Sequence, residues 1–373
     1  MAKIKKHLKT WHRWLGILSG AVFFFVALTG TLFVFADETI DAVAGDARWV
    51  KVELREHQLS VDSLMQCFHA TFPERKPFYA DVYRAKNRSM RVASSDSLGN
   101  DLAYTYINPY TGEAIKTSRS YHLFFALAHL HSELMMGEWG KWIVAITTVI
   151  FFFELLSGLV LWFPRRWNAK SRTASFTVRR EKTLRMRLYN LHKVLGFYVV
   201  IPAFVITLTA IIMSFGVLSR ALQFALGGVD DPFAEVERYE PAPIAGKTPL
   251  ALSSVVNKAF SKRPQAQQCR VSFWNENGGV YNVQVAQYIG LISNRDDENL
   301  VLNKYTGAEI RLPKPVKRAF AVNEWLLRLH VGAWGGLVVK LLMFVVGLIL
   351  TSLPITGLVM LIKQRPAKRE SAD

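Results

Sequence analysis

The sequence predicts an α-helical membrane protein, with four transmembrane helices in two parallel repeats and two small α+β domains on one side of the bilayer. Three observations carry this reading: where the charge lies, four long uncharged apolar runs, and a residue pattern written twice. The chain has 373 residues, 51% of them hydrophobic, and 46 Lys/Arg against 29 Asp/Glu give a formal charge of +17. Three stretches hold nearly all the excess: residues 1–13 (five basic, no acid), 164–193 (ten against one) and 363–373 (four against two). The other 319 residues are almost neutral, with 27 basic and 26 acidic side chains. A basic fold built around nucleic acid is therefore not expected.

Each basic stretch abuts an apolar run: Trp14 to Ala36, Trp142 to Phe163 with Glu154 as its one charge, Val194 to Leu218, and Leu341 to Ile362. A helix needs roughly 20 apolar residues to cross a hydrocarbon core of about 30 Å. All four runs reach that length. The first is also longer than the roughly 7–15 apolar residues of a cleaved signal peptide, so it reads as a span. Because basic loops stay on the cytoplasmic side, the expected order is as follows. Residues 1–36 form a cytoplasmic N-terminus and the first span, 37–119 an exported domain, and 120–163 a His-bearing lead-in and the second span. Residues 164–193 form a basic cytoplasmic loop, 194–218 the third span, and 219–319 a second exported domain. Residues 320–362 form a second His-bearing lead-in with the fourth span, and 363–373 a basic cytoplasmic tail. Cys67 and Cys269 fall one in each exported segment. No C-x-x-C or Gly-rich nucleotide motif occurs, so iron–sulfur, c-type haem and dinucleotide sites have no support.

The repeat is legible residue by residue. At an offset of 180, LKTWHRWLG (8–16) lies over LYNLHKVLG (188–196), matching His12 with His192, Arg13 with Lys193 and Gly16 with Gly196. At an offset of 199, AHLHSELMMGEWGK (128–141) lies over LRLHVGAWGGLVVK (327–340), matching His131 with His330 and, further on, Gly158 with Gly357. Two spans per half keep both halves in one orientation, which makes the repeat parallel.

Between the spans, Val61, Leu64, Met65, Phe68 and Phe72 have helical spacing, and alternating runs near 78–84, 89–94 and 103–108 read as strands. The second segment repeats this, with a helix near 249–261 and strands near 270–275, 279–287 and 299–304. The hairpin bearing Arg84, Lys86, Arg88 and Arg91 reads as a solvated strand face, with contact to an anionic chelate as the alternative.

The LHxxLG opening of a span, the YTGE and YTGA turns after short strands, and the LHxG lead-in to a span resemble the PepSY-associated transmembrane family of bacterial inner membranes. The resemblance covers nearly the whole chain, and in size and layout it is nearest to the iron-regulated siderophore reductases. It implies PepSY-like periplasmic domains, b-type dihaem binding and reduction of a ferric siderophore on the periplasmic side.

Four of the nine histidines fit that implication. His12 pairs with His192 at the cytoplasmic edge and His131 with His330 at the periplasmic edge, each pair supplying one imidazole from either side of a haem b iron. Gly16 and Gly196, one turn after their histidines, would let a flat macrocycle approach the backbone, and Arg13 and Lys193 would neutralise propionates. His131 and His330 precede their long apolar runs by about ten residues, or about 15 Å of helix. The outer centre would then sit near the aqueous margin unless Leu123 to Met136 bends back. His129 and its counterpart Arg328 are secondary candidates for a propionate or substrate contact. Glu154, a carboxylate inside a span, is expected to serve proton uptake or quinol contact. Thr29, Thr207, Thr209, Thr351 and Thr356 read as helix residues bonded back to their own carbonyls.

The expected function is an inner-membrane haem oxidoreductase carrying electrons from a cytoplasmic reductase or quinol to a ferric siderophore. Ferrous iron is then released, because hard oxygen chelators hold it less well than ferric iron. A transporter for a siderophore or small solute and a non-enzymatic protein-binding module are the alternatives.

Overall fold

The computed structural model describes residues 2–51, 57–164, 166–244, 246–273 and 278–363. In chain order the helices are α1 (Ala2–Phe33), α2 (Ala36–Ala44), α3 (Val61–Thr71), α4 (Ser120–Glu133), α5 (Gly137–Trp162), α6 (Ala169–Phe176), α7 (Leu184–Tyr198), α8 (Val200–Ser214), α9 (Gly216–Ala225), α10 (Pro232–Tyr239), α11 (Leu252–Lys262), α12 (Lys314–Val331) and α13 (Gly336–Ile362). The strands are β1 (Lys76–Tyr83), β2 (Met90–Ser95), β3 (Ala103–Ile107), β4 (Ala114–Ser118), β5 (Gln268–Ser272), β6 (Val280–Ala286), β7 (Tyr288–Ile289), β8 (Asn294–Arg295) and β9 (Glu298–Asn303). The chain divides into a helical unit, residues 1–34, 127–219 and 326–373, and a mixed unit, residues 35–126 and 220–325. Apart from Lys363, the basic tail expected over 363–373 lies outside the described residues.

In the helical unit, α1, α5 and α13 are each long and apolar enough to cross a membrane, and α7 with α8 make a fourth span if the bent pair counts as one. The apolar run expected to be one continuous third span bends by 66° at Val199. Pro202 explains the break: it has no N–H to give the Tyr198 carbonyl, and its ring crowds that carbonyl. Phe151, Leu155, Val199, Ala203, Val346 and Leu350 form the buried centre of this unit. Phe23 stacks on Phe151 there, with ring centroids 3.7 Å apart. Val160, Val338 and Leu342 stay exposed, as a lipid-facing surface requires.

The lead-in segments are helices that end in sharp corners. After α4, Leu134 and Met135 take φ of 52° and 58°, and Gly137 follows at 59°. Gly140 is required at that corner, because a Cβ there would lie 1.6 Å from the Glu133 carbonyl oxygen. The corner between α12 and α13 uses Gly332 (φ 73°) and Gly336 (φ 62°). The basic loop is folded as well: Trp162 stacks on Phe197 at 3.7 Å and donates its indole N–H to the Ser175 carbonyl at 3.0 Å.

In the mixed unit, the two segments expected to be exported do not form separate sheets. They share one seven-stranded antiparallel sheet in the order β4-β3-β2-β1-β5-β6-β9. Separate sheets would leave β1 and β5 as bare edges, and pairing them removes that liability. The segments also cap each other. Asp62 accepts from the N–H groups of Leu252 and Ser253, while the Ser253 hydroxyl accepts from Val61 N–H. Phe68, Val92, Val255, Val271 and Leu302 form part of the core beneath α3 and α11. Cys67 and Cys269 are separate thiols, and burial pushes Cys269 up to about 12.

At the β1–β5 seam, Asp81 is cross-strand neighbour to both Arg91 and Arg270. Its carboxylate takes Arg91 at 2.5 and 2.9 Å and Arg270 at 2.7 and 3.1 Å. Arg91, expected on a solvated face, is buried. Arg84 donates to the Ala266 carbonyl and Arg88 lies over Trp49 and Tyr83. Arg84 and Lys86 stay exposed, as the solvated reading expects, while Arg88 and Arg91 pack into the domain.

Burial alone would raise the Asp81 carboxyl, but Arg270 and Arg91 outweigh it and hold it below the ordinary carboxylate range. A depressed folded value means stability that is present above the unfolded carboxyl pKa and lost as pH falls through the folded one. Asp81→Asn should cost roughly 3–5 kcal/mol, because two buried guanidiniums lose their counter-charge. Urea unfolding of the full chain followed by β-sheet circular dichroism would check this, with the variant's stability depending less on pH in the acid range.

Candidate functional site

The helical unit brings the four repeat-matched histidines together as two pairs. His12 on α1 and His192 on α7 have ring centroids 6.4 Å apart, with planes at 86°. His131 on α4 and His330 on α12 have centroids 6.1 Å apart, with planes at 61°. Along α1, the His131 partner Val26 lies 14 residues beyond His12, so the two levels are roughly 21 Å apart.

Each ring is held through Nδ1. His12 Nδ1 meets the Ser157 hydroxyl at 2.8 Å, and His192 Nδ1 meets the Thr356 hydroxyl at 2.8 Å. His131 Nδ1 lies 2.9 Å from the Val26 carbonyl and 3.4 Å from the Thr29 hydroxyl. His330 Nδ1 lies 3.1 Å from the Ile206 carbonyl and 3.2 Å from the Thr209 hydroxyl. Ser157 and Thr356 are 199 residues apart, and Val26 and Thr29 stand 180 before Ile206 and Thr209.

These contacts fix the tautomer. A hydroxyl has one proton to give, and here each gives it to its own helix: Ser157 to Glu154 O, Thr356 to Leu353 O, Thr29 to Phe25 O and Thr209 to Val205 O, at 2.7–3.0 Å. Those hydroxyls can therefore only accept, as the two carbonyls must. Each imidazole is N–H on Nδ1 and carries its free lone pair on Nε2. Back-bonding of the threonines was legible in the sequence, but their second contact, to histidine, was not.

Neutral imidazoles fixed through Nδ1 are the donor set that a metal needs. Among the described residues no three His, Cys, Asp or Glu side chains gather as metal ligands, so each level offers two protein donors. His12 with His192 and His131 with His330 would each suit a haem iron, which would supply a one-electron couple at that level. The spacing fits: two metal–nitrogen bonds of ~2.0 Å plus two ring radii of ~1.1 Å would place the centroids ~6.2 Å apart.

The glycines beside the rings are not the expected ones. A Cβ on Gly16 would meet Glu154 Oε1 at 3.0 Å, and one on Gly196 would meet Leu353 at 3.9 Å, so both face a neighbouring helix. Gly30 faces the His131 ring at 2.8 Å, Gly158 faces His12 at 3.4 Å and Gly357 faces His192 at 4.0 Å. Of the two cations, Lys193 reaches the Ser175 hydroxyl at 3.2 Å, and Arg13 is exposed over Trp14.

His129 turns from His131 to pair with Glu133, and Arg328 lies half-buried two residues before His330. Glu154 sits one turn before Ser157, with Oε1 buried and without a hydrogen-bond partner. His131 contacts α1 inside its apolar stretch rather than at a margin, because α4 runs back against the bundle before its corner.

A family model described as PepSY-associated TM region matches residues 9–364. No curated protein matches the chain.

Loss of the hydroxyls tests how the rings are held. If each level holds a haem, Ser157→Ala and Thr356→Val at one level and Thr29→Val and Thr209→Val at the other should each weaken its uptake, by up to about 10–100-fold, with the backbone carbonyls left in place. Titration of haem into stripped protein, followed by absorbance, would measure both.

Proposed function

The chain belongs to the PepSY-associated transmembrane family, and from that premise we propose that it is an inner-membrane oxidoreductase with two b-type haems that reduces a ferric siderophore on the periplasmic side. The observation that carries the reading is the set of four imidazoles fixed in the Nδ1–H form, at separations suited to an iron between each pair. Matching offsets of 180 and 199 in ligands and partners alike support a parallel repeat, with PepSY-like folds in the exported segments.

When bound, haem supplies a one-electron couple at each level. The chain does the rest. His12 and His192 bind at the level near the basic N-terminus of α1, and His131 and His330 bind at the opposite level. Ser157, Thr356 and the Val26 and Ile206 carbonyls orient the rings. Between the levels lies an apolar cluster in which Phe23 stacks on Phe151, with the Glu154 carboxyl at its inner end against Gly16. A hydrophilic ferric chelate, too polar to enter the bilayer, is reduced from the outer level. The ferrous ion is then released by ligand preference.

The charge asymmetry supports a cytoplasmic position for both termini and the 164–193 loop. A reporter active only outside the cytoplasm should give signal when fused after Asp96 or Asn294 and none after Ser175; the reverse pattern would overturn the orientation. Dithionite-reduced protein should be reoxidised by a ferric siderophore, with ferrous iron trapped by a chromogenic chelator. His131→Ala with His330→Ala should abolish that reoxidation while the inner centre remains reducible. A double variant that oxidises as fast as the parent would remove the outer pair from the path.

A further inference from the structure

The chain's electron donor is not named by the histidine pairs, but a groove beside one of them restricts its chemistry. Between α1 and α5, Leu8, Trp11, Leu15, Phe153, Leu156 and Val160 line a groove of about 340 Å3, large enough for a small-molecule head group. Trp11, Phe153, Leu156 and Val160 are exposed side chains of spanning helices, so the groove faces lipid. Its remaining lining residue is Ser157, whose hydroxyl also accepts from His12 Nδ1 at 2.8 Å.

That hydroxyl has capacity left. Its proton goes to the Glu154 carbonyl and one lone pair takes His12, leaving a second lone pair for an O–H donor. An acyl chain would use the apolar walls and leave that lone pair idle. A lipid-soluble hydroquinone uses both: aromatic walls from Trp11 and Phe153 for the ring, apolar walls for the tail, and an acceptor for a ring hydroxyl. The matching positions on the other side of the repeat are Leu191 for Trp11 and Ser352 for Phe153, so the aromatic walls belong to the α1–α5 face alone.

We propose that a membrane hydroquinone binds in the α1–α5 groove, hydrogen-bonded to Ser157, and delivers electrons to the His12–His192 level. This rests on the haem reading above. In the step, the two O–H bonds of the hydroquinone break and it becomes the quinone. Its two electrons would enter the inner level one at a time, the first moving on to the outer level before the second arrives, and its two protons leave to water on the side of the α1 N-terminus. Ser157 is both an anchor for the donor and one hydrogen bond from the receiving ligand.

The test uses haem-loaded full-length protein in lipid nanodiscs. A photoreactive short-tailed quinone should label peptides covering residues 8–15 or 153–160, and excess unlabelled quinone should compete. Leu156→Trp, which fills the groove from the lipid side, should lower labelling and quinol-driven haem reduction at least tenfold, while dithionite still reduces the haem. Ile355→Trp, the matching change on the other face, should leave both unchanged. Labelling outside the groove, labelling that quinone does not compete, or quinol-driven reduction that survives Leu156→Trp would overturn the proposal. So would a chain reduced by a soluble acidic flavoprotein and not by quinol. Protein that binds no haem would instead defeat the functional reading, and labelling would then report on the groove alone.

Discussion

The account depends on one constraint: a serine or threonine hydroxyl inside an apolar helix gives its only proton to a carbonyl of its own helix. Once that proton is committed, the oxygen can only accept, and the imidazole facing it must carry its proton on Nδ1. Ser157, Thr356, Thr29 and Thr209 all act in this way on the four paired histidines. Nε2 is thereby left as a lone-pair donor at both levels. A metal site built this way needs no carboxylate to fix the ring, which suits a low-dielectric bundle where such a charge is costly.

The two levels share a principle but differ in their surroundings. Each ring meets a hydroxyl and a backbone carbonyl, of Glu154 and Leu353 at one level and of Val26 and Ile206 at the other. Hydrogen bonding at the distal nitrogen raises imidazole basicity at both. The Glu154 side chain makes the difference, since Leu353 stands in its place on the other side. The mixed unit shows a different solution to buried charge: Asp81 ties two strands and two segments through a pair of arginines, with tyrosine rings beneath both guanidiniums.

Much of this was legible in the sequence because it follows period and duplication. Apolar runs mark α1, α5 and α13, and two matched offsets bring out the four histidines before any fold is known. The strands near 78–84, 89–94 and 103–108 appear as β1, β2 and β3, since alternation survives when one face is buried. What the sequence hides is which surfaces meet. It assigned the close approach to Gly16 and Gly196, one turn from the histidines on the same helix, whereas Gly30, Gly158 and Gly357 approach the rings from other helices. It separated two domains that share a sheet, because pairing of β1 with β5 crosses nearly 190 residues of chain. It read Arg91 as solvated, because its counter-charge comes from another strand.

The most direct test is electron paramagnetic resonance of the oxidised, detergent-purified protein. The account predicts two low-spin ferric haem signals from bis-imidazole ligation. The inner one should be the more anisotropic, because its rings are nearly perpendicular at 86° while the outer rings stand at 61°. A protein that carries no haem, or shows only high-spin iron with a single axial ligand, would contradict it.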